Sequence, residues 1–277
     1  MEAPPFPTRP GGAKMRHAPL NHAPIPVPPR RMSWRWVRPS LGRRMMADLS
    51  WASLRIPRCI MTAQLKIPRA QAARSALAAP RPPWSTLFLK GFGLAAEPHP
   101  ALRRCHATLP WPRLLELEHA IGCVVLERSH EGEPVLSIAR IPRCHAVPLP
   151  ELAQRLEHAK SAPAGENRNF RRFRNFARLP WPLRRLLLRL GIATGGPVVL
   201  YGGTFAISAL GERGVTILDS VSVLPIFLSF GPISAEGEVE VTLSFDHRVM
   251  DGSDGADALR GLERAIEGPV ADELLAL

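Results

Sequence analysis

A chain of 277 residues with 45% hydrophobic side chains can bury a proper core, which excludes a wholly disordered or fibrous protein and leaves room for one large domain or two small ones. Its formal charge of +12 comes almost entirely from arginine; that suits phosphate-bearing partners such as nucleotides, coenzyme A, nucleic acid or anionic lipid, and equally a surface of solvated arginines. The four cysteines, Cys59, Cys105, Cys123 and Cys144, form no CxxC pair and have no His or Cys at zinc-ligand spacing around them, so they read as reduced, mostly buried thiols and no metal is expected.

The start, MEAPPFPTRPGGAK, lacks the basic-then-apolar order of a secretory signal, and a cytoplasmic protein is expected. Residues 1–33 hold PPFP, APIPVPP and many Arg and His without a hydrophobic period, which predicts a flexible leader; Met15 or Met32 could be the true start. From Pro39 onward, Ser40 is placed to cap a first helix that carries Leu41, Met45, Leu49 and Trp51 and ends before Pro57. The run 59–67, CIMTAQLKI, alternates with period two and predicts a half-buried strand. A helix should follow, supplied by TLFLKGFGLAAEPHPALRR with Leu87, Phe88, Phe92 and Ala95 on one side and Pro98 and Pro100 as the stop. IGCVVLER and VLSIARI read as two strands around the turn HEGEP, and 148–160 as a helix through Leu149, Leu152, Leu156 and Ala159.

The segment NFRRFRNFARLPWPLRRLLLRLG, 169–191, interleaves arginines with aromatics. It predicts an amphipathic helical insertion that lays Leu183, Leu186, Leu187 and Leu190 on its own core, with a membrane-surface or nucleic-acid patch as the other reading. The nearly uncharged stretches 190–211 and 214–235 are too rich in Gly and β-branched residues for spanning helices and read as strands joined by turns. A strand Thr204–Ala209 carries Ser208 among apolar neighbours, and VEVTLSF, 239–245, alternates so that one face must be buried. That strand delivers His247 to its exit. After Asp251 and Gly252 a helix follows, with Ser253 as N-cap, Ala256, Leu259, Leu262 and Ile266 on one face, and Gly268 then Pro269 as its end.

A loop holding His247 and Asp251, pinned between strand and helix, is a stiff frame for a base, although a lone histidine on a turn also serves as structure. Here the residues reach a known family. TLSFDHRVMDGSDGADALRGLERAIEGP, preceded by GGTFAISALGERGV, resembles the catalytic domain of the 2-oxoacid dehydrogenase dihydrolipoamide acyltransferases, the E2 components, relatives of chloramphenicol acetyltransferase. Upstream, GRRMMADLSWASLRIP resembles the family's opening Arg-rich helix, with Ser50 where methionine is usual, and LFLKGFGLAAEPHPAL its helix ending in His-Pro. The insertion at about 165–197 and Ala209, where many members carry asparagine, depart from the pattern.

The resemblance implies an α/β (α+β) chain over 34–277 with the CoA-dependent acyltransferase fold, a mixed β-sheet flanked by helices, assembled as a trimer whose active-site channel lies between subunits. It implies His247 as the general base that takes a thiol proton, Ser208 as the hydroxyl donor to the oxyanion, and Asp251 as the acid that holds the histidine loop, with Gly252 permitting a tight turn and Asp246 and Arg248 fixing the loop. Coenzyme A is the expected substrate. With four lysines and no Asp-Lys-Ala turn, the chain is expected to have no lipoyl arm of its own, so any lipoyl group would act in trans. Partners on this reading are other copies of the chain, dehydrogenase-complex subunits, or a lipoyl or acyl carrier protein. A non-catalytic E2-like scaffold, or a membrane-surface protein acting through 169–190, stands as the alternative; nucleic acid is not favoured.

Overall fold

The computed structural model describes residues 34–130, 132–162, 168–209, 211 and 214–277. The expected leader, 1–33, lies outside them. Residues 39–277 form one compact unit, and residues up to 38 belong to a separate one.

Helix α1 (Leu41–Ser53) starts as expected, with the Ser40 hydroxyl accepting from the Arg43 N–H at 3.3 Å. It packs through Gly42, Asp48 and Ala52 instead of the apolar residues the pattern favoured. Strand β1 (Arg58–Lys66) follows, and then a helix the pattern did not reveal, α2 (Pro68–Ala76), precedes the expected one, α3 (Trp84–Ala96). Helix α3 is buried almost all round. A two-stranded ribbon, β2 (Arg104–Ala107) with β3 (Arg113–Glu116), was likewise not foreseen. The hairpin β4 (Ile121–His130) and β5 (Glu133–Pro142) and the helix α4 (Leu149–Ser161) match the expectation.

The basic segment forms α5 (Arg168–Arg178) and α6 (Trp181–Thr194), followed by α7 (Gly196–Tyr201). Here one expectation is corrected: Leu183, Leu186, Leu187 and Leu190 do not pack on a core of the insertion but are 40 to 52% exposed. The face turned inward is centred on Arg184, which is buried against Asp48 of α1, so an ion pair rather than the leucine stripe orients α6.

The C-terminal third gives β6 (Phe205–Ala209), β7 (Ile226–Ile233), β8 (Glu238–Asp246) and α8 (Gly252–Ala265). Two further corrections fall here. The N-cap of α8 is Asp251, not Ser253, in a reciprocal capping box with Asp254, whose carboxylate accepts from the Asp251 N–H at 2.9 Å. Gly268 and Pro269 do not end the chain's helical course; they kink it, with Gly268 non-helical, into α9 (Ala271–Leu275).

The six-stranded sheet has the order β1-β8-β7-β6-β4-β5. Strands β4, β6 and β7 run parallel, while β8, β1 and β5 pair antiparallel to their neighbours, so the sheet is mixed as expected. One face, through Leu228, Phe230, Leu243 and Phe245, meets α3, α8 and α9 in the main core; Phe88 stacks on Phe230 at 3.9 Å and Phe92 lies 4.7 Å from Phe205. The other face holds a small cluster of Cys123, Ala206, Leu224 and Phe227 beside the hydroxyl row Ser208, Ser229 and Thr242. At the β6 entrance Gly203 has φ +127°, and a Cβ there would lie 2.5 Å from the Ile121 carbonyl, so only glycine fits.

Candidate active site

His247 sits one residue beyond β8. Its N–H donates to the Pro57 carbonyl at 2.9 Å, and the preceding Asp246 N–H donates to the Pro225 carbonyl at 2.8 Å. Asp246 is 4% exposed and its carboxylate takes three bonds from Arg248: the backbone N–H at 3.0 Å, Nε at 2.9 Å and Nη2 at 2.6 Å. This charge-assisted fork closes the turn on itself. Arg58 backs the turn, donating to the carbonyls of Ser222 and Leu224 at 2.7 and 2.8 Å, and burial pushes its guanidinium pKa down. The histidine ring itself remains free of that frame, with its side chain 52% exposed.

Asp251 Oδ1 lies 3.5 Å from His247 Nδ1, in ion-pair range and long for a hydrogen bond. The same residue caps α8, so one carboxylate both starts the helix and faces the imidazole Nδ1. Gly252, expected to permit a tight turn, is the first residue of α8; it has no positive φ, and a Cβ there would meet open space. The tightness of the turn is owed to Asp246 and Arg248 instead.

Ser208 lies on β6, on the face away from the main core and partly exposed. Register places it beside Ser229 on β7, which pairs in turn with Thr242 on β8. Strands β6 and β8 run in opposite directions, and both residues stand at the C-terminal ends of their strands. Within one chain they therefore occupy opposite ends of the sheet, separated by roughly 17 Å along the strands and about 10 Å across them. A single chain does not bring the expected base and the expected oxyanion donor together. Two shallow pockets of about 230 and 250 Å3 flank α8, one reaching Asp254 and His99 and the other bounded by Met61 and Glu263. Both fall short of the roughly 300 Å3 at which small-molecule sites begin.

The cysteines take no part in this geometry. Burial pushes the thiol of Cys105 up to about 11, and those of Cys123 and Cys144 up to about 12. A second polar cluster, which sequence reasoning missed, joins Glu97, His119 and His145. These residues stand 22 and 26 positions apart, with no local motif to signal the convergence. Among the described residues no helix is long and apolar enough to cross a membrane.

Residues 196–274, which contain Ser208, His247 and Asp251, match the family model for 2-oxoacid dehydrogenases acyltransferase (catalytic domain). No curated protein sequence matches the chain. In fold it is similar to a dihydrolipoamide acetyltransferase of Azotobacter vinelandii, in whose catalytic mechanism a serine, a histidine and an asparagine have been investigated (18% identity, TM-score 0.61, covering 91% of this chain and 100% of that one). It is similar also to a probable dihydrolipoamide acetyltransferase of Listeria monocytogenes (17%, 0.60, 84% and 94%). A third likeness is to the cubic core of the pyruvate dehydrogenase multienzyme complex (18%, 0.61, 91% and 100%). The chain thus has the fold of the dihydrolipoamide acetyltransferase cores, a mixed sheet flanked by helices.

Proposed function

We propose that the chain is a CoA-dependent acyltransferase that moves an acyl group between thiols, with His247 as general base and Ser208 from a neighbouring copy as oxyanion donor. The observation that carries this reading is the strand-exit loop: a half-exposed imidazole whose Nδ1 faces a carboxylate, mounted on a turn locked by Asp246 and Arg248. The family-model match over 196–274 supports acyl transfer as the reaction class. In the Azotobacter enzyme the histidine and asparagine under investigation stand four residues apart, the spacing of His247 and Asp251 here. Aspartate in place of asparagine gives this chain a charged partner for the ring.

On this reading a thiol S–H gives its proton to His247 Nε2, and the sulfur attacks the thioester carbonyl carbon. The Ser208 hydroxyl donates to the oxyanion as it forms. Collapse restores the carbonyl and breaks the original C–S bond, and the departing thiolate takes the proton back from Nε2. Histidine is the side chain most often used for such a proton transfer. The acyl group would arrive on coenzyme A or on a lipoyl group carried by another protein.

The opposite-end placement of Ser208 and His247 requires a second copy at each site. The likeness to a cubic core, itself a multi-subunit assembly, supports that requirement, and we infer a trimer as its smallest unit. The test is acyl exchange between an acyl-CoA and dihydrolipoamide with purified wild type, His247→Ala and Ser208→Ala, alongside light scattering. Each variant should lose at least about 10²-fold in rate. Equal rates in all three proteins, or a strictly monomeric wild type that is active, would refute the mechanism.

A second reading, membrane-surface attachment, is favoured by α5 and α6, where Trp181, Leu183, Leu186 and Leu190 are exposed beside Arg178, Arg185 and Arg189. Co-sedimentation with anionic vesicles should then occur at low salt and disappear on replacing Leu186 and Leu190 by serine. Wild type that stays in solution at low salt dismisses this reading.

A further inference from the structure

Glu97, His119 and His145 come from three separate parts of the chain, and acyl transfer uses none of them. Glu97 is the C-cap of α3, His119 precedes β4, and His145 lies in the short 3-10 turn Cys144–Ala146 before α4. Glu97 Oε2 is 3.2 Å from His119 Nδ1, and Glu97 Oε1 is 3.0 Å from His145 Nδ1. One ligand atom from each residue lies within 4.8 Å of those of the other two. All three side chains are sheltered, at 28, 25 and 15% exposure.

Hydrogen bonding accounts for only half of this cluster. His119 Nδ1 and Glu97 Oε2 make a hydrogen bond, but Glu97 Oε1 and His145 Nδ1 are both buried and lack one. Although 3.0 Å apart, their directions do not line up for an N–H···O bond. Two buried polar atoms left unpaired at such range cost free energy unless a third body sits between them. A tetrahedral ion bound at about 2.0 to 2.1 Å sets its ligand atoms about 3.3 Å apart; each histidine stands near that distance from one of the two Glu97 oxygens, and one atom from each of the three residues lies within 4.8 Å of the others.

The mounting is rigid. A Cβ on Gly93 would lie 2.7 Å from Cys144 Sγ, so α3 is pressed against the turn that carries His145. The His119 loop is held by the Arg143 N–H donating to the Ala120 carbonyl at 3.1 Å and by Arg103 donating to the Glu118 carbonyl. Glu118 Oε1 lies 3.5 Å from His119 Nε2, on the far side of the ring from Glu97, which sets a second carboxylate beside this imidazole. Burial, opposed by the Glu97 charge, lowers the His145 pKa.

We propose that Glu97, His119 and His145 bind a divalent transition metal of the zinc type, with two imidazole nitrogens and a carboxylate oxygen as ligands and water in the fourth place. Two imidazoles exclude the oxygen-only chemistry of calcium and magnesium. The ion would tie the end of α3 to the entrance of β4 and to the turn before α4.

The test uses tag-free full-length chain, stripped with chelator and titrated with Zn2+, with Co2+ as a spectroscopic probe. One Zn2+ per chain should bind, Co2+ should show the visible bands of a four-coordinate ion, and the melting midpoint should rise with added Zn2+. His119→Gln, His145→Gln and Glu97→Gln should each weaken binding at least about 10-fold. His247→Ala should bind as wild type does. His119 lies in a surface loop, so if His145→Gln fails to fold, His119→Gln with a native circular dichroism spectrum decides the matter. Absence of stoichiometric binding in wild type, or unchanged binding in His119→Gln, would reduce the cluster to an ion-paired clasp and overturn the proposal.

Discussion

Replacing Asp48 by alanine strips the counter-charge from a guanidinium that has nowhere else to go. Arg184 is 6% exposed and Asp48 4%, and Arg184 Nε donates to Asp48 Oδ2 at 2.6 Å. Without the carboxylate, Arg184 keeps, among the described residues, the Leu179 carbonyl at 2.8 Å and the Ala177 carbonyl at 3.4 Å. Neighbouring Arg185, 3.9 Å from Asp48 Oδ1 and 4.8 Å from the rings of both Trp51 and Trp181, loses its anchor as well. Breaking a buried pair from one side typically costs about 3 to 5 kcal/mol, because the surviving charge stays desolvated. Against a total stability of about 5 to 15 kcal/mol, that is a large fraction. Urea unfolding followed by circular dichroism measures it. The double variant Asp48→Leu with Arg184→Met should recover most of the loss, since apolar pairs of similar volume replace such bridges at little cost. A loss below about 1 kcal/mol in Asp48→Ala, the scale of an exposed pair, would refute the reasoning. So would a double variant no better than the single one.

Three other outcomes are expected. Thiol titration of the native chain near pH 8 should label Cys59 alone, because Cys105, Cys123 and Cys144 are buried with thiols raised to about 11 to 12, and denaturant should expose all four; rapid labelling of a second native thiol would contradict this. The same shifts set a pH dependence: unfolded thiols ionise near 9 while the folded ones hold their protons, so stability should fall as pH rises from about 9 toward 11, and Cys123→Ala should flatten the slope in denaturation series at stepped pH. Gly42→Ala should destabilise the chain by about 1 to 3 kcal/mol, although alanine is the better helix former, since the new Cβ would lie 2.7 Å from the Pro134 carbonyl; a thermal midpoint at or above wild type would show that α1 can shift away from β5.

The C-terminal third was the most legible part of the sequence because its signals are local. Period-two alternation gave β8 to within a residue at either end, and the residues between Asp246 and Gly252 sit on the strand-to-helix loop that the pattern required. The missed elements lack such signals. Helix α2, PRAQAARSA, buries only Ala70 and Ala73, too few apolar positions to show a helical stripe. Strands β2 and β3 are four residues each, and β3 is exposed throughout, so no alternation marks it. The leucines of α6 follow a helical period that normally means burial, but a buried ion pair with α1, invisible to any period count, set the face instead. The Ser253 cap failed for a smaller reason: Asp251 and Asp254 stand at the capping-box spacing, two residues earlier.

The antiparallel run of β6 and β8 has a consequence for mixtures. If catalysis joins the serine end of one sheet to the histidine end of the next, two crippled proteins can repair each other. Random assembly of His247→Ala and Ser208→Ala chains into closed rings would leave about a quarter of the junctions with both groups intact. Such a blend should turn over substrate where neither parent does, and its rate should fade on dilution as the rings come apart.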